Sequence, residues 1–390
     1  MEQKFIPLSV PNLKGNELDY VTQAVQSEWV STGGPFVTKF EECVAAYVQA
    51  EGAVSCQSGT AGLHIALEVC GVKREDEVLV PSLTFIAAVN PVRYVGAHPV
   101  FMDCDDSLTI SPDKLEVFCE QQCSFIDGKL LNNFSNREVK AIIVVHVFGN
   151  MTDMVKIVKV ASKYNLKVIE DATEALGTHY TSGFYSGRYA GTIGDIGVYS
   201  FNGNKIITTG GGGMIVSNDK KLLRRSKHLT TQAKSDELYY THDEVGYNYR
   251  MTNLQAALGI AQMEQLEQFI ETKKRNFELY QELVYNIEGL HLIEYREGTR
   301  ANYWFYALYV DETYPLNRDG LMKFLAENKV QTRPIWGLIN NQRPYINDQA
   351  YRIERAVDYL EHIVNIPCSS NLNETDIKYV CELLSYPVNK

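Results

Sequence analysis

The segment at residues 141–147 constrains the fold most, because it is apolar at almost every position. A strand with this pattern is buried on both faces, as in a parallel sheet covered by helices. Such a sheet is built from strands that alternate with helices. Further short apolar runs lie at residues 52–56, 77–81, 99–103, 166–171, 197–201 and 214–216. Stretches of helical periodicity alternate with them.

These runs predict an α/β fold with a mainly parallel seven-stranded sheet and helices on both faces. The chain has 390 residues, which exceeds the usual size of a single core. We therefore expect a large domain at 1–250 and a second part at 251–390, comprising a long linking helix and a small α+β domain. The helical pattern runs from about residue 252 to 286, whereas residues 110–138 are polar and irregular.

Composition excludes several classes of partner. The net charge of −11 argues against a surface for nucleic acid or anionic membranes. No run reaches the roughly 18 apolar residues of a membrane span, and the N-terminus has no signal core. The eight cysteines form no CxxC pair, so we expect a reduced, cytoplasmic protein without a structural metal.

Lys205 is a candidate nucleophile because of the segment around it. An apolar run ends at Phe201, a short polar turn carries the lysine, and four glycines follow at 210–213. Desolvation lowers the pKa of a lysine, and the neutral amine can form a Schiff base with an aldehyde. The alternative is an exposed loop lysine followed by a flexible glycine hairpin.

A second candidate feature lies at residues 57–62, where a short strand leads through small residues into a helix. The free amides at such a helix N-terminus form an anion site. The alternative is an ordinary helix cap by Ser58 or Thr60. Ligands bind at the carboxyl ends of strands in open α/β sheets, and the polar candidates fall at such ends: residues 58–60, His146, Asp171 and residues 200–205.

Pyridoxal phosphate is an aldehyde cofactor whose parts match these candidates. Asp171 could pair with the protonated pyridine nitrogen and keep the ring an electron sink. Phe85 could stack on the ring. Amides and hydroxyls for the phosphate are available at Ser58, Gly59, Thr60 and Ser200. The alternatives are a helix cap for Asp171 and core packing for Phe85.

Together and in this order, five motifs resemble those of the nucleotide-sugar aminotransferases, which are pyridoxal phosphate enzymes of the aspartate aminotransferase-like fold. The motifs lie at residues 31–35, 58–61, 170–177, 200–205 and 246–251. The resemblance covers nearly the whole chain, so it implies that the large domain binds the cofactor.

The resemblance also implies residue roles. Lys205 and Asp171 are the implied catalytic residues, and Lys205 would also shuttle the proton. Asn248 would reach the phosphate of a neighbouring subunit, so the site would be shared across a homodimer. The implied cofactor-binding set is Gly59, Thr60, Phe85, Asp171, Glu174, Ser200, Lys205 and Asn248.

The implied reaction moves an amino group from L-glutamate to C4 of a nucleotide-linked 4-keto-6-deoxy sugar. A related branch with histidine at the lysine position acts as a dehydratase, so Lys205 favours transamination. Residues 332–336 resemble those of enzymes that act on 2-acetamido sugars, in the routes to bacillosamine and legionaminic acid, and the expected substrate is UDP- or GDP-linked. The alternatives are amination of a 3-keto sugar and a non-catalytic sugar-binding or regulatory role.

Four other residues have open interpretations. His146 could contact the ligand or be a hydrogen-bonded core residue. Arg250 and Arg333 could bind a carboxylate or a pyrophosphate, although Arg250 could equally be structural. Trp336 could stack on the sugar or base, or could simply pack.

Overall fold

A ten-stranded sheet organises the computed structural model, which describes residues 4–236 and 238–385. The helices are α1 Glu17–Gln26, α2 Pro35–Val48, α3 Gly59–Val69, α4 Asn90–Tyr94, α5 Pro112–Gln121, α6 Met154–Tyr164, α7 Lys220–Thr230, α8 Asn253–Met263, α9 Leu266–Val284, α10 Arg318–Glu327, α11 Arg355–His362 and α12 Glu374–Ser385. The strands are β1 Gly52–Cys56, β2 Glu77–Pro81, β3 His98–Met102, β4 Cys123–Ile126, β5 Lys129–Asn132, β6 Glu138–Val145, β7 Lys167–Asp171, β8 His179–Tyr180, β9 Ile196–Ser200, β10 Gly213–Ser217, β11 Lys234–Asp236, β12 Thr241–His242, β13 Leu290–Leu292, β14 Thr299–Arg300, β15 Tyr306–Val310, β16 Arg333–Pro334, β17 Ala350–Tyr351 and β18 Ile363–Ile366.

The main path of the large sheet has the order β1-β10-β9-β7-β6-β2-β3-β17. The pairs from β9 through β7, β6, β2 and β3 to β17 are parallel, and β10 is antiparallel to β1 and β9. The predicted mainly parallel α/β sheet is confirmed. Residues 141–145 of β6 are buried without interruption, as the apolar run predicts.

The predicted count of seven strands is wrong for the described residues. Seven strands of the large sheet have five or more residues and correspond to the predicted apolar runs. Three shorter strands add to them. The hairpin of β4 and β5 comes from the polar stretch at 110–138, and β17 has two residues, so neither carries a strong strand pattern.

The predicted single long helix after residue 252 is also wrong, because the chain forms α8 and α9 with a break between them. Gln265 at the break has φ −109° and ψ −5°. Its side chain donates to Glu17 at 2.7 Å, and Tyr20 donates to Glu264 at 2.6 Å. These contacts with α1 hold the break, which helical periodicity alone cannot reveal.

A second sheet lies in the C-terminal part of the chain, with the strand order β13-β15-β18-β16. Its strand β15 begins at Tyr306, whereas the sequence pattern placed a strand start at residue 303. The predicted domain boundary at 250 and 251 stays a prediction. All eight cysteines are free thiols and seven of them are buried. Among the described residues, no helix combines the length and apolarity needed to cross a membrane.

Asp103 links the large sheet to α11. It is fully buried just after β3 and accepts hydrogen bonds from the amides of Glu354, Arg355 and Ala356 at 2.8–3.0 Å. Lys114 Nζ lies 2.6 Å from its carboxylate. Burial disfavours the charged carboxylate, but these hydrogen bonds outweigh that effect and lower the pKa of Asp103.

We expect Asp103→Ala to lower the free energy of unfolding by about 3 kcal/mol at pH 7, because it leaves a helix N-terminus and a lysine without their acceptor. The contribution is present above the unfolded-state pKa of about 3.9 and is lost as the pH falls below it. Urea unfolding at pH 7 and pH 3 measures both effects. The control is Asp106→Ala, whose side chain is 88% exposed and pairs only at the surface; a loss there as large as at Asp103 would contradict the interpretation.

Candidate active site

A cavity of about 370 Å³ lies at the carboxyl ends of the central strands. Seven of the eight predicted site residues line it: Gly59, Thr60, Phe85, Asp171, Glu174, Ser200 and Lys205. Parallel strands β7 and β9 are neighbours and pair Asp171 with Val198. Their ends therefore reach the same edge of the sheet, which brings the predicted residues together.

Lys205 lies in the turn after β9 and is largely withdrawn from water. Its side chain is 12% exposed, and Nζ lies 3.8 Å from Glu174 Oε1. Burial lowers the pKa of Lys205, while the negative charges of Glu174 and Asp171 oppose that shift. The alternative of an exposed loop lysine is therefore wrong. A buried amine with a lowered pKa is suited to covalent chemistry with a carbonyl.

Glu174 is the group nearest to the Lys205 amine among its charged neighbours. Its Oε2 accepts a hydrogen bond from the Phe148 amide at 2.7 Å. Phe148 has φ +55°, a left-handed conformation that aims this amide within a tight turn. Burial raises the pKa of Glu174 to about 7, against the effect of Lys205. Burial therefore shifts the pKa values of Lys205 and Glu174 toward each other.

Asp171 ends β7 and is 3% exposed. One carboxylate oxygen accepts a hydrogen bond from the Thr173 amide at 3.0 Å. Burial raises the pKa of Asp171, and the hydrogen bonds from Thr173 oppose that shift. No α-helix begins after Asp171 in the described residues 172–178, so the helix-cap alternative is wrong. The carboxylate instead lines the cavity.

The N-terminus of α3 opens onto the cavity through residues 58–60. Ser58 caps the helix, since its Oγ accepts a hydrogen bond from the Ala61 amide at 3.1 Å. The cap interpretation is thus correct, and the same first turn still presents amides to an anion. A Cβ added to Gly59 would lie 2.8 Å from Thr173 Cγ2 and 3.1 Å from Ser200 Cβ. Glycine therefore lets the helix start approach Ser200.

The four glycines after Lys205 serve a tight approach of two backbones. Gly210 has φ +76° and Gly212 has φ +154°, conformations that favour glycine. A Cβ on Gly213 would lie 2.6 Å from the carbonyl carbon of Ser58. This run therefore lets β10 begin directly beside the start of α3, and Gly211 and Gly212 line the cavity.

Aromatic side chains form the remaining wall. Phe85 is 53% exposed, so the core-packing alternative is wrong, and its ring centroid lies 6.3 Å from that of Trp336. Trp336 also lies 4.8 Å from Phe148. Trp304 and Phe305 line the cavity too. Sequence reasoning missed both, although the aromatic run at 303–306 is an available signal.

Asn248 is the one predicted site residue that lies outside the cavity. It is exposed, forms a β-bridge with Thr231, and accepts a hydrogen bond from Arg250 Nε at 3.4 Å. The predicted contact with a neighbouring subunit stays a prediction. Arg333 is exposed and lines a different, open pocket.

His146 is a hydrogen-bonded core residue. It is fully buried, and its Nε2 lies 2.9 Å from Glu170 Oε2. Its Nδ1 accepts a hydrogen bond from the Thr152 amide at 3.1 Å. Glu170 in turn accepts hydrogen bonds from the amides of residues 191, 193 and 194. This network fixes the loop before β9 and does not line the cavity.

The donor set fits pyridoxal phosphate. The buried lysine can bind its aldehyde, Asp171 can hold its ring nitrogen, and the α3 N-terminus with Ser200 can hold its phosphate. The close approach at Gly59 supports this fit, because a side chain there would fill the space between the helix start and Ser200.

The chain is similar to known sugar-modifying enzymes over nearly its whole length. It matches the DegT/DnrJ/EryC1/StrS aminotransferase family over residues 11–385. GDP-perosamine synthase of Escherichia coli O157:H7 is 36% identical over 382 residues, covering 98% of each chain. The pyridoxal phosphate-dependent aminotransferase EpsN of Bacillus subtilis is 36% identical over 387 residues, covering 98% of this chain and 95% of EpsN.

Among solved structures, the aminotransferase TlmJ from Streptoalloteichus hindustanus has a TM-score of 0.88 and 26% identity, covering 99% of each chain. These similarities confirm the resemblance to sugar aminotransferases and the cofactor, pyridoxal phosphate. The chain therefore belongs to the DegT/DnrJ/EryC1/StrS aminotransferase family.

Proposed function

We propose that this aminotransferase moves an amino group from L-glutamate to C4 of a nucleotide-linked 4-keto-6-deoxy sugar. The observation that carries the proposal is the buried Lys205 amine beside Glu174 and Asp171 in one cavity. The relative named GDP-perosamine synthase supports a nucleotide-linked sugar as acceptor. We further propose that the sugar is UDP- or GDP-linked and carries a 2-acetamido group. The resemblance of residues 332–336 supports the 2-acetamido group, and Trp336 of that segment lines the cavity.

Two residues of the chain, Lys205 and Glu174, transfer protons in the proposed reaction. When bound, pyridoxal phosphate stores the amino group and delocalises the electrons of the bond being broken. Lys205 Nζ removes a proton from the carbon that loses the amino group and delivers one to C4 of the sugar. Glu174 Oε1, 3.8 Å from Nζ, holds a proton when the amine releases one.

The other cavity residues bind and orient. Asp171 keeps the ring nitrogen protonated, and the amides of Gly59 and Thr60 with the Ser200 hydroxyl hold the phosphate. The aromatic wall excludes water from the reacting carbon. We extend the proposal to a homodimer, because the exposed Asn248 lies outside the cavity of its own chain and is free to face a second one.

With L-glutamate as donor, we expect kcat/KM for a 4-keto-6-deoxy sugar nucleotide to exceed that for its 3-keto isomer by at least about 100-fold, since Lys205 must reach the carbon that is protonated. Release of 2-oxoglutarate measures the rate. The panel contains GDP- and UDP-linked sugars with and without a 2-acetamido group. Preference for the 3-keto isomer would contradict C4 amination. Lys205→Ala is the control, and turnover near that of the wild type would exclude a catalytic lysine.

Asp171→Asn is expected to retain the cofactor but lower kcat by about 100-fold or more, because the amide cannot keep the pyridine nitrogen protonated. Absorbance of the purified variant measures the bound cofactor, and 2-oxoglutarate release measures kcat. Asp113→Asn, whose side chain is 74% exposed, should behave as the wild type. An Asp171 variant with normal kcat would remove the assigned role.

Glu174→Gln is expected to raise the Tm of the cofactor-free protein at pH 8 and to change it little at pH 5. The folded-state pKa of about 7 lies above the unfolded value, so the carboxyl group destabilises the fold as the pH rises through that window. Thermal unfolding at both pH values measures the effect. Glu361→Gln at an exposed site is the control. A lower Tm for Glu174→Gln at pH 8 would be the contrary result.

A further inference from the structure

The segment that carries Trp304 is a buried irregular stretch between β14 and β15. Ala301, Asn302 and Trp304 are at most 3% exposed. Between them, Tyr303 has φ +56°, a left-handed conformation that bulky residues rarely adopt. Such a conformation persists only where the surrounding contacts hold it. The contacts of Asn302 and Trp304, on either side of Tyr303, therefore hold this segment in place.

Asn302 ties this segment to the loop that carries Glu174. Its Nδ2 donates to the carbonyl oxygens of Glu174 at 2.8 Å and Leu176 at 3.0 Å. Its Oδ1 accepts a hydrogen bond from the Trp304 amide at 3.0 Å. One buried amide side chain thus fixes Trp304 relative to the Glu174 backbone.

Trp304 also contacts the turn that carries Lys205, in two ways. Its indole N–H donates to the carbonyl of Asn204, the residue before the lysine, at 2.6 Å. Its ring centroid lies 4.1 Å from Lys205 Nζ. A cation above an indole face is attracted by the ring, and the attraction is strongest where water is excluded. The ring therefore favours the protonated form of the amine.

The charged groups around Lys205 also favour its protonated form, but they differ from the indole ring in one respect. Glu174 lies 3.8 Å away and Asp171 acts at longer range, while Lys273 lines a small cavity that Lys205 also borders. A carboxylate attracts the ammonium but can also take its proton. The indole attracts the ammonium and cannot take the proton.

We propose that Trp304 is a positioning residue for Lys205, which fixes the turn carrying the lysine through Asn204 and holds the protonated amine against its ring. The inference rests on the proposed role of Lys205 but not on the identity of the sugar. Trp304 thereby sets the direction from which the amine delivers its proton.

The first test is the indole fluorescence of the cofactor-free full-length protein as a function of pH. The chain has three tryptophans, so Trp304→Phe identifies the signal of Trp304. We expect a titration step in the wild type that Lys205→Met and Trp304→Phe both lose and that Glu174→Gln retains at a changed pH. Absence of the step in the wild type, or its persistence in Lys205→Met, would overturn the proposal.

The second test is the pH dependence of pyridoxal phosphate capture, trapped by borohydride reduction. Only the neutral amine reacts, so loss of the ring in Trp304→Leu should move the half-maximal pH downward. It should also slow capture at high pH by about 10-fold or more, because the amine is misplaced. Trp304→Phe keeps a ring face and should restore the half-maximal pH while capturing more slowly than the wild type.

The matched control is Trp336→Leu, which removes an indole from the same cavity wall but not from the lysine. Its half-maximal pH should equal that of the wild type. An equal shift in Trp336→Leu, or no change in either Trp304 variant, would refute the positioning role. Undiminished trapping by Lys205→Met would instead refute the proposed function of Lys205, so the two failures are distinguishable.

Discussion

The withdrawal of three ionisable groups from water is the constraint on which the site depends. A single buried charge loses its hydration and tends to become neutral. In this cavity the burial of Lys205, Asp171 and Glu174 lowers the pKa of the lysine and raises those of the carboxyl groups, while their opposite charges limit each shift. The balance holds only if the groups stay together. The parallel pairing of β7 with β9 keeps them together, because it brings the end of one strand beside the end of the other.

The proposed phosphate end of the cavity follows a different principle. The chain carries a net charge of −11, and among the residues that line the cavity the single basic side chain is Lys205. In the proposed arrangement, the groups that this chain offers to the phosphate are backbone amides and hydroxyls, which need close approach rather than charge. This need explains the glycines: Gly59 lets α3 start beside Ser200, and Gly213 lets β10 pass the same helix start. The absence of side chains at these glycines therefore leaves room for an anion beside the start of α3.

Features encoded by local pattern could be predicted from the sequence, and those that depend on distant contacts could not. The long strands of the large sheet follow from apolar runs, and Asp171 and Lys205 follow from polar residues at the ends of those runs. The break between α8 and α9 escaped prediction because contacts with α1 hold it. The contact of Trp304 with Asn204 escaped prediction for the same reason, since 100 residues of chain separate the two. The proposed contact of Asn248 with a second subunit stays a prediction, because it would depend on another molecule.

The contrast between local pattern and distant contacts also explains why the cofactor can be predicted from the sequence, whereas the sugar cannot. In the proposed arrangement, directional bonds to a lysine, a carboxylate and amides hold pyridoxal phosphate, so its motifs need fixed residue types at fixed spacing. Part of the cavity wall is aromatic, since Phe85 and Trp336 line it and Trp336 packs on the buried Phe148, and such ring contacts tolerate many shapes. Apolar walls distinguish substrates by only about 10–200-fold, whereas hydrogen bonds to substrate hydroxyls distinguish them far more strongly. We therefore expect discrimination among sugars to come from the few polar groups that line the cavity, such as Asn202 and Asn204.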